Sequence, residues 1–241
     1  MNTLNKIKLD FIGLNTTYPT VERGETRRVY LDSTASTLMM KAAYKSMETF
    51  YDHYSNTHSV AHFSAKISTR EYLWAHDRIL SFLNADKNDY TCFFTGSGTT
   101  AGINRLARVF RDYRKDRTKV LVSLMEHHSN DLPHRKHADE VIHIPLNNYG
   151  KNVGCISIKD IETHLKQNES QVNYVAVTGV SNVTGIINPI YEIAELAHSY
   201  GAFIIVDGAQ MVSHIPVNIS AHENSERNID AFVFTGHKTY V

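Results

Sequence analysis

Four groups of short segments in this chain hold residue types that could do chemistry together. In the first, Thr95-Gly96-Ser97-Gly98-Thr99-Thr100 follows an apolar run ending at Phe94. It leads into AGINRLARVF, where Ile103, Leu106, Ala107 and Phe110 share one helical face. Small and hydroxyl residues at a helix N-terminus expose free N–H groups to an anion, most naturally a phosphate; a plain strand-to-helix turn is the alternative. The GK[ST] ending of a Walker A loop is missing, and no GxGxxG fingerprint stands here. The second segment is Met125-Glu126-His127-His128-Ser129-Asn130. Neighbouring histidines diverge on an extended segment and no third ligand stands at a recognisable spacing, so a flat aromatic platform or proton carrier fits His127 better than a metal ligand. His58 and His62 are spaced as in HExxH but lack its Glu.

The third segment pairs Ser181-Asn182-Val183-Thr184-Gly185 with Asp207-Gly208-Ala209-Gln210. An Asp that ends a hydrophobic strand is costly unless bonded. Asp207 either accepts from the following backbone or is an anion aimed at a cationic ring nitrogen. The fourth, Thr235-Gly236-His237-Lys238-Thr239, places a Lys among hydroxyls after another apolar run. A solvated Lys is the default; burial near a phosphate site would make it an amine nucleophile. A phosphate cradle, a flat aromatic, a polar amide, an acid after a strand and a terminal Lys together match what pyridoxal phosphate requires: phosphate anchor, ring cover, O3′ donor, pyridinium partner and covalent lysine. No dinucleotide or metal site needs that set.

Positioning these groups requires strands that end side by side. Apolar runs predict strands at Tyr90–Phe94, Lys119–Ser123, Glu140–Ile144, Asn173–Thr178, Phe203–Val206 and Asp230–Phe234, with a short earlier one at Val29–Asp32. Helical spacing covers residues 38–53 and 69–84, with Thr69 able to cap the second, and SNTHSVAHFSAKIS between them reads as an ordered loop. Ser157 with Asp160 starts a helix through Ile158, Ile161 and Leu165. Asn188 is expected to cap another with Pro189 at its first position; Ile193, Ala194, Ala197 and Tyr200 form its apolar face and Gly201 its end. Strands alternating with helices predict an α/β fold, a mainly parallel sheet covered on both faces, whose ligands gather beyond the carboxyl ends of the strands. Residues 1–28 are weakly patterned, and no linker or repeat marks a boundary between 30 and 241.

The composition fits this. With 241 residues, 42% hydrophobic and 21% charged, the chain is neither disordered nor fibrous. Its 25 basic and 25 acidic residues cancel, so no global field draws it to nucleic acid or anionic lipid. Cys92 and Cys155 are too few for a disulfide framework, which points to a reducing compartment. No window approaches the roughly 18 apolar residues of a membrane span, and MNTLNKIKLDFIGLN lacks a signal-peptide core, so a cytoplasmic location is expected.

YLDSTAST, SNTHSVAHFSAKIST, FTGSGTTAGIN, MEHHSNDLP, VSNVTGIINPI, VDGAQMVSHIPVNI and FVFTGHKTY resemble, in order, segments of class V aminotransferase-fold enzymes, most closely the cysteine desulfurase and selenocysteine lyase branch. The resemblance spans about residues 29–240 and implies the large domain of fold-type-I pyridoxal phosphate enzymes over residues 29–241. It implies that Thr99 and Thr100 bind the phosphate, with Thr235 and His237 adding contacts from the other side. His127 would stack on the pyridine ring and Asn182 and Gln210 would sit near O3′. Asp207 would pair with the ring nitrogen, and Lys238 would hold the cofactor covalently and act as base at the substrate Cα. It further implies an amino-acid substrate, a homodimer and a sulfur-acceptor protein. Ser59 stands where desulfurases of this branch usually have an Arg. The family continues well past the lysine, whereas this sequence ends three residues after Lys238. The sulfur-accepting Cys loop, a carboxylate-gripping Arg and the small domain would lie in that continuation, leaving Cys92 and Cys155 as packing residues. An antiparallel strand from the same continuation would separate Tyr90–Phe94 from Asp230–Phe234, so either a gap between those two or a segment borrowed from elsewhere is expected.

Overall fold

The computed structural model describes residues 3–220 and 223–241, with Met1 and Asn2 of the expected N-terminal segment outside it. In chain order the elements are α1 (Thr3–Lys8), β1 (Thr17–Thr20), β2 (Gly24–Arg27), α2 (Lys41–Tyr51), α3 (Phe63–Phe82), α4 (Gly98–Tyr113), β3 (Lys119–Ser123), α5 (Leu132–His137), β4 (Glu140–Ile144), β5 (Leu146–Tyr149), β6 (Asn152–Ile156), α6 (Ile158–Gln167), β7 (Val172–Thr178), α7 (Ile190–Ser199), β8 (Phe203–Asp207) and β9 (Ala231–Val233). They fall into two compact units, 78–235 and 1–77 with 236–241. The division runs through α3, with no linker at that point.

The larger unit is built on a five-stranded sheet of order β4-β3-β7-β8-β9, parallel at every pairing. All seven residues of β7 are buried, because helices cover both faces of a parallel sheet. Alternation divides them: Tyr174 and Ala176 join Val120, Val122 and Ile205 against Leu106 and Phe110 of α4. Val175 and Val177 face the other way, into the larger core with Ile161 and Leu165 of α6 and Ile193, Ala194 and Ala197 of α7. The chain leaves β3 toward β4 and leaves β7 toward β8, in opposite directions, so a crevice opens between the carboxyl ends of β3 and β7.

Several expectations are corrected. Tyr90–Phe94 and Val29–Asp32 form no strand. Tyr90 and Cys92 instead pack against the larger core, and among the described residues no strand pairs with the outer side of β9. With no strand at Tyr90–Phe94, no ladder joins that segment to β9 among the described residues. Helix α3 starts at Phe63, within the expected loop, because His62 caps it: Ala65 N–H donates to His62 Nδ1 at 3.3 Å. Thr69 therefore lies inside the helix, its hydroxyl donating to the carbonyls of Thr57 and Ser59 at 3.0 and 2.9 Å. Asn188 does not cap α7; its amide donates to the carbonyl of Thr178 at 2.8 Å, and Pro189 occupies the cap position. Ser157 does cap α6, accepting from Asp160 N–H at 3.3 Å, and Gly201 follows the end of α7. The hairpins β1–β2 and β5–β6 were not expected.

Candidate cofactor site

Strand register brings the candidate turns of the larger unit together. Thr178 pairs with Asp207 and Asp207 with Val233, so the segments that follow them, carrying Asn182, Gln210 and Thr235, leave adjacent strand ends. Gly179 N–H donates to the Asp207 carbonyl at 2.8 Å and Gly208 N–H to that of Val233 at 2.7 Å. A Cβ on Gly208 would stand 2.0 Å from the Phe232 ring, so only glycine lets the Asp207 turn lie this close to β9. Gly102 plays the same part for α4, where a Cβ would meet Val233 at 2.6 Å. The N-terminal turn of α4 is thereby placed against the end of β9.

That turn is prepared for an anion. Ser97 precedes α4 without a side-chain cap, and among the described residues the Oγ1 of buried Thr99, in the first turn, has no hydrogen-bond partner. An unpartnered buried hydroxyl costs about 1–3 kcal/mol, a loss that phosphate oxygens beside the free N–H groups of the helix would remove. By this test the residues present fit a phosphorylated cofactor. Thr100 Oγ1 donates to Ser129 Oγ at 2.9 Å, and Ser129 Oγ lies 2.8 Å from His127 Nδ1. Ser129 N–H also donates to Nδ1 at 3.1 Å. Nδ1 is therefore an acceptor and a neutral His127 ring carries its proton on Nε2. Ser129, not singled out by the sequence, thus links the first turn of α4 to the exposed imidazole.

Asp207 ends β8 almost fully buried, and its Oδ1 accepts from Ala209 N–H at 2.9 Å. A second acid, Glu126, lies in the crevice between β3 and β7. Its Oε1 accepts from Thr178 N–H at 2.9 Å and from the Ser123 hydroxyl, and its Oε2 from Asn130 Nδ2 at 2.6 Å. Burial pushes its carboxyl up to about 8 against the pull of these hydrogen bonds, and the charge of Asp207 adds to the rise. Behind Asn130 the network continues: Asn130 Oδ1 lies 3.1 Å from His134 Nε2, and His134 Nδ1 lies 2.9 Å from Tyr174 OH. Burial lowers His134 to about 4, so it is neutral and both ring nitrogens are engaged. The sequence signal for Glu126 was an acid directly after buried Met125, overshadowed by the two histidines beside it.

Asn182 is half-buried in a turn whose Ser181 Oγ accepts from Val183 and Thr184 N–H at 3.3 and 3.2 Å; Gln210 is half-buried and Thr235 buried. His237 and Lys238 belong to the other unit, on one 3₁₀ turn, Gly236–Lys238. There the His237 carbonyl accepts from Thr37 N–H at 2.9 Å and from its hydroxyl at 3.2 Å, and Met40 N–H donates to the Tyr240 carbonyl at 3.0 Å. YLDSTAST and TGHKTY, distant in sequence, are thus bonded to each other. Both remaining candidate histidines have structural partners, His62 as the α3 cap and His58 edge-on to Tyr72 at 6.0 Å. Among the described residues no three His, Cys, Asp or Glu side chains group to hold a metal, and no helix is long and apolar enough to cross a membrane. Both cysteines are half-buried, and burial pushes the Cys92 thiol up, away from the thiolate a nucleophile needs.

Residues 29–241 match the aminotransferase class-V family model, and the chain belongs to that family. It is 34% identical over 216 residues to a probable cysteine desulfurase of Halalkalibacterium halodurans, covering 87% of this chain and 50% of that protein. A cysteine desulfurase of Synechococcus elongatus is 33% identical, matched over 88% of this chain and 33% of its own length. Among solved structures, the apo cysteine desulfurase of Thermococcus onnurineus superposes with a TM-score of 0.80 at 25% identity, covering 99% of this chain and 54% of that one. The S-sulfonic acid form of the cysteine desulfurase CsdA from Escherichia coli gives 0.73 at 26%, covering 100% and 56%. The chain spans about half the length of these structures, and half or less of the two relatives.

Proposed function

We propose that this chain is the cofactor-binding part of a pyridoxal-phosphate-dependent amino-acid lyase of the cysteine desulfurase or selenocysteine lyase kind, removing sulfur or selenium from the substrate β-carbon. The observation that carries this reading is the unpartnered Thr99 hydroxyl at the uncapped start of α4, set against the strand end next to buried Asp207. Bound pyridoxal phosphate would supply an electron sink for charge released at the substrate Cα. Thr99 and Thr100 would hold its phosphate, and Thr235 and His237 are the further contacts this reading calls for. Asp207 would keep the pyridine nitrogen protonated, His127 would cover the ring, and Asn182 and Gln210 would hold its phenolic oxygen. Lys238 would hold the cofactor covalently, and its amine would serve as the base for the substrate Cα proton. The partners of this reading are a small amino acid, a second copy of the chain and a sulfur-acceptor protein, in the cytoplasm.

Another class V chemistry, that of a transaminase, an epimerase or a kynureninase-like hydrolase, is the second reading. It is favoured by Ser59, whose short side chain accepts from Ala61 N–H at 3.3 Å and offers no cation. Incubation with L-cysteine, L-selenocysteine and L-alanine, with sulfide, selenide and keto-acid release followed separately, distinguishes the two. Sulfide or selenide with alanine as co-product supports the lyase; amino transfer alone overturns it.

A further inference from the structure

His127 is exposed, and the χ2 torsion of an imidazole is broad and two-fold, so neither the plane of its ring nor the place of its proton is set by packing. Three hydrogen bonds set them instead, and the first fixes the direction of the other two. Ser129 N–H can only donate, and it donates to His127 Nδ1, so Nδ1 of the neutral ring carries no proton. The proton between Nδ1 and Ser129 Oγ, 2.8 Å apart, is therefore that of the hydroxyl. With its one proton directed there, the Ser129 oxygen can only accept, and Thr100 Oγ1 donates to it at 2.9 Å. The chain runs one way, from Thr100 through Ser129 to His127. It spans two elements, α4 and the 3₁₀ turn His128–Asn130. It also separates the two threonines of the α4 turn. Thr100 commits its hydroxyl proton to Ser129, whereas buried Thr99 Oγ1 has no partner among the described residues.

We propose that Ser129 is a positioning residue of this site, directed by the Thr100 hydroxyl: together they hold the His127 imidazole in one plane with its proton on Nε2. Of the two threonines, Thr99 is then the one whose hydroxyl serves the phosphate. The proposal rests on the function reading above for what the ring covers, while its test does not. Hydroxyl and backbone N–H of one residue converge on Nδ1, so a flip of the ring about χ2 would set a C–H against both donors and break both bonds. The Thr100 hydroxyl polarises that of Ser129 and strengthens its bond to the ring. A ring held in this way is placed before a ligand arrives and gives up little freedom in covering it. Thr100 keeps its backbone N–H for the phosphate, as one of the free groups of the first helical turn.

The test reads the ring directly, by long-range proton–nitrogen NMR correlations in isotope-labelled, cofactor-free protein at about pH 8.5, where ordinary imidazoles are neutral. Loss of signals in His127→Asn identifies those of His127. Wild-type protein should show an unprotonated Nδ1 and a protonated Nε2. The ratio of this form to the Nδ1–H form should fall roughly two- to tenfold in Ser129→Ala, which keeps the backbone donor alone, and return to within about twofold of wild type in Ser129→Thr. Thr100→Val should lower it by a smaller factor, and Thr99→Val, on the same helical turn, should leave it as in wild type. A wild-type ring protonated on Nδ1, or an equal ratio in Ser129→Ala and wild type, overturns the proposal. An unchanged ratio in Thr100→Val, or the same fall in Thr99→Val, overturns the part given to Thr100. If wild-type protein takes up no pyridoxal phosphate the function reading fails, and the tautomer of His127 still decides the role of Ser129.

Discussion

Thr37 grips His237 twice, its backbone N–H and its hydroxyl both donating to one carbonyl at 2.9 and 3.2 Å, and the same hydroxyl accepts from Tyr240 N–H at 2.9 Å. Lys238 lies between the two gripped residues. Tyr240 adopts φ +67°, a left-handed conformation that a bulky side chain takes only where its surroundings impose it. The turn carrying the expected covalent lysine is therefore shaped by a threonine some two hundred residues upstream.

Thr37→Val removes the hydroxyl's share of this grip, worth about 0.5–1.5 kcal/mol per hydrogen bond. Cofactor loss on dialysis is expected to accelerate roughly tenfold, with Thr37→Ser restoring retention to within about twofold of wild type. Equal retention in Thr37→Val would show that the grip does not serve Lys238.

Thr99→Val should move two measurements in opposite directions. Without cofactor the protein gains up to about 1–3 kcal/mol, because an unpartnered buried hydroxyl is removed from a site of similar volume. Affinity for pyridoxal phosphate falls in the same variant. Thermal unfolding and cofactor titration check the pair; loss of stability together with unchanged affinity would contradict the phosphate role.

Asp207→Asn keeps an acceptor for Ala209 N–H, so the fold should hold and cofactor should still bind. A neutral amide cannot keep the ring nitrogen protonated, and turnover should drop by roughly 100-fold or more. Turnover within a few-fold of wild type would remove Asp207 from the reaction.

His198 supplies a pH dependence separate from the site. Its Nε2 donates to Asp230 Oδ2 at 2.8 Å and its Nδ1 to the Glu226 carbonyl at 2.6 Å, which favours the doubly protonated ring. The Asp230 hydrogen bond leads in holding its pKa above the usual histidine value. Stability from His198 is thus fully present below the unfolded value of about 6.5 and lost as the pH rises through the elevated folded one. The gap in unfolding midpoint between wild type and His198→Gln should be wide near about pH 5.5 and narrow near about pH 9. A gap constant across that range would contradict the assignment.

The parallel strands were legible because burial on both faces demands unbroken apolar runs, as in VNYVAVT, and β3 and β4 fall on the predicted residues. YTCFF carries the same signal without forming a strand, since a run of apolar residues does not reveal whether a partner stands beside it. The β5–β6 hairpin was hidden by its composition, polar LNNY turning through Gly150 to NVGCI. The start of α3 escaped because histidine is an unusual cap. Within the site, residues expected to touch a ligand stood out by type, whereas Glu126, Ser129 and Thr37 act through other residues and become visible once long-range hydrogen bonds are known.

The most direct measurement is to incubate the purified protein with pyridoxal phosphate, reduce with borohydride, digest and map the pyridoxyl-bearing peptide, with Lys238→Ala alongside. The account predicts a visible-region absorbance band that reduction removes, a label on Lys238 and neither in Lys238→Ala. A band that survives in Lys238→Ala, or a label mapped to another lysine, would contradict it.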